Sequence, residues 1–376
     1  MFFVLTGSDP RALRHLRRRQ KTFEWLANAC STLDLEMVLT TPERIDARGF
    51  CRGWSLDKKR PHIWRSRHCK MAGGVVYDAM YLSELKTHRG AYRKALATLR
   101  RLGIIFFNPK LPAKDELHQW LLLEYEQRKA TADKKLLPST QFDIDANVVL
   151  RRLNETQSPM WFKPVYGSGG RNMLRIEPLT NKRFAVRGER FYDRDIKAEW
   201  SEDELCRRLD RALTQRVYLL QEDIGLLQTQ DGRKVDFRVT VARGSQGIWG
   251  VTALTARFGR VGHALTNFHA GGSIQSLTLQ NAQATRETIA ALQLQEADIS
   301  HVADQALEVA KLVSLKYPHV GILGIDVGIS AADKAAYVYD CNSRPGRDIL
   351  TNHEVEVTMQ QVARFARYLL NTAPSL

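Results

Sequence analysis

A chain of 376 residues with 44% hydrophobic and 26% charged content has apolar material for two or three packed domains and too ordinary a charge density for global disorder. The net charge of +15 is uneven, because residues 1–100 hold 20 Lys and Arg against 9 Asp and Glu. A basic domain suits nucleic acid, an anionic polymer or an acidic small substrate; residues 11–21 (RALRHLRRRQK) lack interleaved aromatics, so they read as a solvated helix face and disfavour nucleic acid. No apolar run reaches eighteen residues and the N-terminus has no apolar h-region with a small-residue cleavage site, which argues for a cytoplasmic protein without membrane insertion. The cysteines Cys30, Cys51, Cys69, Cys206 and Cys341 are dispersed with no C-x-x-C spacing, a pattern of neither a disulfide framework nor a zinc site.

In chain order, FFVLT (residues 2–6) is a strand followed by Gly7, Ser8, Asp9 and Pro10, the signature of a capped helix start. Residues 35–39 and 75–77 read as further strands. Tyr92, Ala95, Leu96, Leu99 and Leu102 recur at helical spacing before Gly103, a C-cap glycine, and IIFFN (104–108) is a strand again. Strands alternating with helices predict an open, mostly parallel sheet over roughly the first 110 residues. Residues 114–128 read as a helix. Residues 160–164, 173–176, 218–224, 235–241 and 250–254 are β-like, with Asp231-Gly232 as a hairpin-type turn between two of them. Val302, Ala306, Val309, Ala310 and Val313 mark one helix face, followed by the strands GILGIDVGI and YVYDCN. The fold class is therefore α/β followed by α+β, with no internal repeat.

The chemistry concentrates in five stretches. WFKPVYGSGGRNMLRI (161–176) is a glycine turn between two strands with Lys163 at its entrance. It is not a P-loop, which ends in Gly-Lys-Ser/Thr and opens a helix; it either supplies turn geometry alone or folds over phosphates and donates backbone N–H groups. Asp326 in GIDVG, with Asp340 and Asn342 in YDCNSRPG, puts oxygen donors on two neighbouring strands. Asp340 and Asn342 share a face, and carboxylate plus amide oxygen suit Mg²⁺ completed by phosphate and water. An unpartnered Asp340 would otherwise be a buried polar group at the end of an apolar strand. Asp236 and Arg238 alternate along VDFRV, Arg257 lies in LTARFG, and Arg344 follows Asn342; placed guanidinium groups stabilise the charge of a transferring phosphoryl group.

The ordered set KP…GSGG, QED, DFRV, AR…N…GG, GID and DCNSRPG resembles the ATP-grasp superfamily, and the segment ending in FFN upstream resembles its YheC/YheD branch, associated with spore coats. The resemblance covers about residues 75–365. It implies an ATP-grasp fold with an N-terminal pre-ATP-grasp α/β domain (1–110), a mobile lid subdomain (111–224) and a C-terminal catalytic subdomain (225–376). By matching motif, Lys163 resembles the lid lysine on the ATP phosphates, Gly167, Ser168, Gly169 and Gly170 the lid loop, and Lys114 the earlier ATP-contacting lysine. Gln221, Glu222 and Ile224 resemble the adenine hinge; Arg238 and Arg257 face the γ-phosphate, and Asn267 with Gly271 and Gly272 matches the element near the metals. Asp326, Asp340 and Asn342 match the Mg²⁺ ligands, with Mn²⁺ the alternative ion; Asp340 stands where the family usually has the longer glutamate.

The expected activity is an ATP-dependent carboxylate–amine ligase working through an acyl phosphate. The expected partners are ATP, a carboxylate and an amine, the latter an anionic amino acid or peptide, bound by a monomer or homodimer. The competing expectations are a spore-coat-type binding protein on the same fold and an ATP-dependent phosphotransferase.

Overall fold

The computed structural model describes residues 1–9, 17–60, 62–128, 136–167, 169–266, 271–277 and 282–372. Pro10 of the expected helix start, residues 11–16 of the basic stretch, Ser168 and Asn267 lie outside the described residues.

The first sheet has the order β4-β3-β2-β1-β5-β6, with β1 (Phe2–Leu5), β2 (Met37–Ile45), β3 (Phe50–Leu56), β4 (Trp64–Lys70), β5 (Val75–Asp78) and β6 (Ile105–Phe107). β1 pairs in parallel with β2 and β5, and β5 with β6, which is the expected parallel sheet. The antiparallel additions β3 and β4 were not expected. All four residues of β1 are fully buried, as a strand covered on both faces requires; each such side chain contributes about 1.5–3 kcal/mol. Phe2 and Val4 face one apolar core, while Phe3 and Leu5 face another.

Helix α1 (Arg17–Thr32) and the short α2 (Leu82–Thr87) precede α3 (Arg89–Arg101). Gly103 takes φ +62 after α3, and Ile104 N–H donates to Leu99 O at 3.0 Å, so the glycine closes the helix as expected. The solvated-face reading of the basic stretch fails at Arg19, while Arg18 is exposed and still reaches the chain's C-terminal part. Arg18 donates to Asp348 O at 3.1 Å, and Arg19 is ion-paired with Glu84 at 2.7 Å with its guanidinium 4.2 Å from the Tyr81 ring centroid. These arginines fasten the helix to its own domain and to the chain's C-terminal part.

Helix α4 (Lys114–Arg128) leads to the second sheet, β11-β10-β9-β8-β12-β7, entirely antiparallel. Its strands are β7 (Thr140–Gln141), β8 (Met160–Pro164), β9 (Leu174–Pro178), β10 (Arg183–Phe191), β11 (Arg194–Ser201) and β12 (Tyr218–Glu222). Helices α5 (Ala146–Thr156) and α6 (Glu202–Leu213) bury Val149, Leu153, Leu205 and Leu209 against it. The glycine segment joins the paired neighbours β8 and β9.

The third sheet, β15-β14-β13-β16-β17, is also antiparallel, with β13 (Val235–Arg243), β14 (Trp249–Phe258), β15 (Ser273–Ser276), β16 (Ile322–Ile329) and β17 (Ala336–Asn342). Helix α7 (Ala282–Ala291) precedes α8 (Glu296–Lys316), whose Val302, Ala306, Val309, Ala310 and Val313 are all fully buried, as the periodicity predicts. The Asp231-Gly232 turn corrects one expectation. It closes only a small bridge between Gln228 and Lys234, because its flanking strands β12 and β13 belong to different sheets. The last helix, α9 (Asn352–Thr372), joins the first and third sheets: Phe365 packs edge-on against Phe107 with centroids 5.3 Å apart, and the same core takes in Ala242 and Ile322.

Candidate active site

A cavity of about 420 Å³ receives Leu82 from beside the first sheet, Lys163 and Gln221 from the second, and Arg238, Asp326 and Asp340 from the third. Strand register makes this convergence. Arg238 on β13 lies opposite Asp326 on β16, Asp326 lies opposite Asp340 on β17, and Asp236 lies opposite Arg257 on β14. After Asp326–Asp340 the register jumps to Val327–Val338, leaving Tyr339 as the extra residue of a bulge. A bulge re-aims side chains, and here the consecutive residues Tyr339 and Asp340 both line the cavity.

A buried charge network forms the cavity's floor. Arg257 grips Asp236 through two bonds, Nε–Oδ1 at 2.7 Å and Nη2–Oδ2 at 2.6 Å, and reaches Asp326 Oδ1 at 3.1 Å. Arg238 is bidentate to the same Asp326, with Nη2–Oδ2 at 3.0 Å. Thr266 donates to Asp236 Oδ2 at 2.6 Å, and the Tyr339 hydroxyl donates to the same carboxylate. Burial works to raise the Asp326 carboxyl, but the two guanidinium groups outweigh it and hold it down at about 2. Two guanidinium groups face two carboxylates, so the network is formally neutral: it fixes geometry and directs N–H groups rather than supplying net charge.

Further positive charge comes from two lysines, of which Lys114 is paired with Asp340. Lys163 Nζ donates to Gln221 Oε1 at 2.5 Å and sits 5.3 Å from the Tyr339 ring centroid. Burial, reinforced by Lys114, pushes the Lys163 ammonium down to about 8 against the pull of Asp340, Asp223 and Asp326. The Gln221 side chain also donates to Thr140 Oγ1 at 3.0 Å, which is 3.1 Å from His118 Nε2. Gln221 is thus engaged by Lys163 and Thr140, while Glu222 and Ile224 line the cavity beside it. Burial and the nearby Lys163 hold the His118 imidazole down at about 4, so it is neutral at physiological pH.

Lys114, the first residue of α4, places Nζ 3.2 Å from Asp340 Oδ2. Asn342 Nδ2 donates to that same oxygen at 3.1 Å, leaving Asn342 Oδ1 for another partner. With Asp326 held by two arginines, Asp340 and Asn342 are the oxygen donors with capacity toward the cavity. This hard-oxygen set fits Mg²⁺, which takes one or two protein oxygens and completes its shell from phosphates and water. Among the described residues no three His, Cys, Asp or Glu side chains gather as an all-protein metal cage.

Arg344 lines the same cavity but does not join the ion-pair network of the other two arginines. Its guanidinium bonds Asp78, Met80 O at 3.0 Å and Tyr92 Oη at 3.2 Å, all from the first sheet's side. Burial pushes the Asp78 carboxyl up to about 6 despite this arginine. Arg344 is a tether between the loop after β17 and the end of β5. Gly167, Gly169 and Gly170 line the cavity; Gly170 holds φ +69, and a Cβ there would meet Leu265 Cδ1 at 2.5 Å, so this turn requires glycine. Tyr339, Thr140, Thr266 and His118 were not anticipated: a bulge and contacts across the chain bring them in.

The profile of a family described as YheC/D-like ATP-grasp matches residues 103–370. Among solved structures, D-alanyl-alanine synthetase A from Vibrio cholerae O1 biovar eltor aligns over 99% of this chain and 96% of its own, at 10% identity and TM-score 0.51. The ATP-grasp ligase PsnB, complexed with precursor peptide PsnA2 and AMPPNP, aligns over 96% and 97% at 14% identity and TM-score 0.47. A RimK-domain ATP-grasp protein from Sphaerobacter thermophilus aligns over 98% of both chains at 12% identity and TM-score 0.46. No curated protein sequence matches. The profile spans well over half of the chain, and the chain belongs to the YheC/D-like ATP-grasp family.

Proposed function

We propose that this protein is an ADP-forming ligase that joins a carboxylate to an amine, with ATP held in the cavity between the second and third sheets. The observation that carries the reading is the convergence of Lys114, Lys163, Asp340, Asn342 and the Arg238–Asp326–Arg257 cluster on one cavity. Lys163 and Lys114 hold the phosphates, the N–H groups of the Gly167–Gly170 turn close over them, and Gln221 to Ile224 carry the adenine. When bound at Asp340 and Asn342, Mg²⁺ neutralises phosphate charge. In the first step a carboxylate oxygen attacks the γ-phosphorus, the bond to the bridging oxygen breaks and ADP leaves, giving an acyl phosphate. In the second the amine nitrogen attacks the acyl carbon, the C–O bond to phosphate breaks, and the amine's proton passes to solvent. Arg238 and Arg257 orient the transferring group, since their charges are already balanced. The turn over the phosphates excludes water from the labile intermediate.

On this reading residues 1–110, 111–224 and 225–376 are the pre-ATP-grasp, lid and catalytic units, and the basic first unit suits an anionic amine substrate. No helix among the described residues is long and apolar enough to cross a membrane. The test is ADP release with pooled amino acids and short peptides, followed by mass spectrometry of the products. A condensed amide supports the ligase, and the Asp340→Asn variant should lose turnover. A phosphorylated end product shifts the reading to phosphotransferase; absence of Mg-ATP binding removes both.

A further inference from the structure

A second chamber of about 240 Å³ opens off the nucleotide cavity and shares with it Lys114, His118, Gly167, Asp340 and Asn342. Its inner wall is different in kind. Leu111, Leu117, Leu121, Leu137, Val165 and Val338 are each at most 6% exposed and line it. Its mouth carries Leu82 and Tyr166, which remain 50% and 63% exposed. Its charged residues are Lys110, Lys114, Arg344 and Asp340. Arg344 is engaged by Asp78 and Lys114 by Asp340, whereas Lys110 forms no ion pair among the described residues.

We propose that this chamber binds the carboxylate substrate, and that the substrate is a monocarboxylic acid with a mid-sized hydrocarbon tail. The inference rests on the ligase reading above and names the substrate class of its first step. The shared wall includes Lys114, assigned to the phosphates, and Asp340 and Asn342, which would hold the Mg²⁺, so a carboxylate placed there stands beside the transferring group. Lys114 and Lys110 favour an anion and oppose an ammonium; the leucine wall has no hydrogen-bonding side chain, and the chamber's His118, Tyr339 and Ser343 are already bonded to Thr140, Asp236 and Pro109 O, so burial of a second polar group would be uncompensated. The volume equals about eight water molecules at about 30 Å³ each, room for a carboxylate with a tail of about five or six carbons. The anionic amino acid or peptide that the basic first unit suits is then the amine partner.

The experiment is calorimetry on the intact protein with Mg²⁺ and a non-hydrolysable ATP analogue, titrating 4-methylpentanoate, acetate, succinate and 3-methylbutylamine. The expected result is binding of 4-methylpentanoate at least tenfold tighter than of the other three. Leu117→Trp fills the chamber and should abolish that binding while the analogue's affinity stays unchanged. Leu117→Ala enlarges it and should move the preference from 4-methylpentanoate toward octanoate. Analogue binding with equal or absent response to all four probes overturns the chamber assignment and leaves the ligase reading standing. The same holds if 4-methylpentanoate binding is indifferent to both Leu117 variants. Failure of the analogue itself to bind overturns the ligase reading and the chamber with it.

Discussion

Replacing Lys163 with methionine should make the unliganded protein more stable and its grip on Mg-ATP weaker. Burial holds the ammonium down from the usual lysine value of 10.5 to about 8. Each pH unit is worth about 1.4 kcal/mol, so keeping the charged form in the fold costs about 3 kcal/mol. Methionine removes that cost but leaves Gln221 Oε1 without its 2.5 Å donor, a loss of about 1 kcal/mol. The net gain at pH 7 is about 2 kcal/mol, read as a higher urea midpoint without nucleotide. The sign of the pH dependence is fixed by linkage. Between about pH 8 and 10.5 the unfolded chain binds more protons at this lysine than the folded one, so the wild type gains stability as pH rises through that window. The variant's advantage should therefore be constant below pH 8 and should shrink, then reverse, toward pH 10.5. In the opposite direction, a charge-assisted contact to phosphate contributes about 1.5–3 kcal/mol, so Lys163→Met should lower Mg-ATP affinity roughly ten- to hundredfold. A stability difference that stays flat from pH 7 to 10.5 would refute the charge-burial argument.

Mg-ATP affinity of the wild type should be level below about pH 8, where Lys163 is protonated, and fall above it; calorimetry across pH 7 to 10 reads this, and an identical fall in Lys163→Met would assign it to another group. His118 is held at about 4 while the unfolded imidazole titrates near 6.5, so stability should fall as pH drops from 6.5 to 4. His118→Gln should flatten that part of the denaturation profile, and an unchanged slope would clear His118 of the effect. Gly170→Ala introduces a Cβ at φ +69 and 2.5 Å from Leu265 Cδ1. The left-handed backbone alone costs about 1–2 kcal/mol, so Mg-ATP affinity should drop roughly tenfold in titrations with circular dichroism unchanged; wild-type affinity would mean that the turn does not close on the nucleotide.

The parts of the fold that the sequence displays are those whose local pattern and tertiary role agree. The α8 face is legible because one apolar stripe meets one sheet, and β8–β9 because alternation is interrupted by glycines. The hairpin β10–β11 was hidden for a specific reason. Its turn uses Tyr192 and Asp193 at φ +48 and +63 in place of Asn-Gly or Asp-Gly, and its exposed face carries Arg183 and Arg187, so neither the turn chemistry nor the hydrophobicity announces it. The edge strand β4 is similarly disguised, as WRSRHCK is almost wholly exposed. Conversely, Asp231-Gly232 announces a hairpin turn, and the chain instead crosses there from one sheet to another.

The site shows the same division between local and distant information. Spacing along one strand is enough to put Asp236 with Arg238, and Asp340 with Asn342, on common faces. It cannot reveal that Asp326 answers both Arg238 and Arg257, because that depends on the lateral order β14-β13-β16. Nor can it distinguish Arg344 from its neighbours. In sequence Arg344 stands two residues after Asn342 and belongs with the metal and phosphate residues; in space its guanidinium lies on Asp78, 266 positions earlier. The physical consequence is a division of labour among three arginines of equal charge. Arg238 and Arg257 organise the cavity floor, whereas Arg344 fixes the loop after β17 against the end of β5, close to the α2 residue Leu82 that lines the cavity and its side chamber. A residue that reads as catalytic by proximity in sequence thereby fixes, through a buried ion pair, part of the wall of the side chamber that it lines with Leu82.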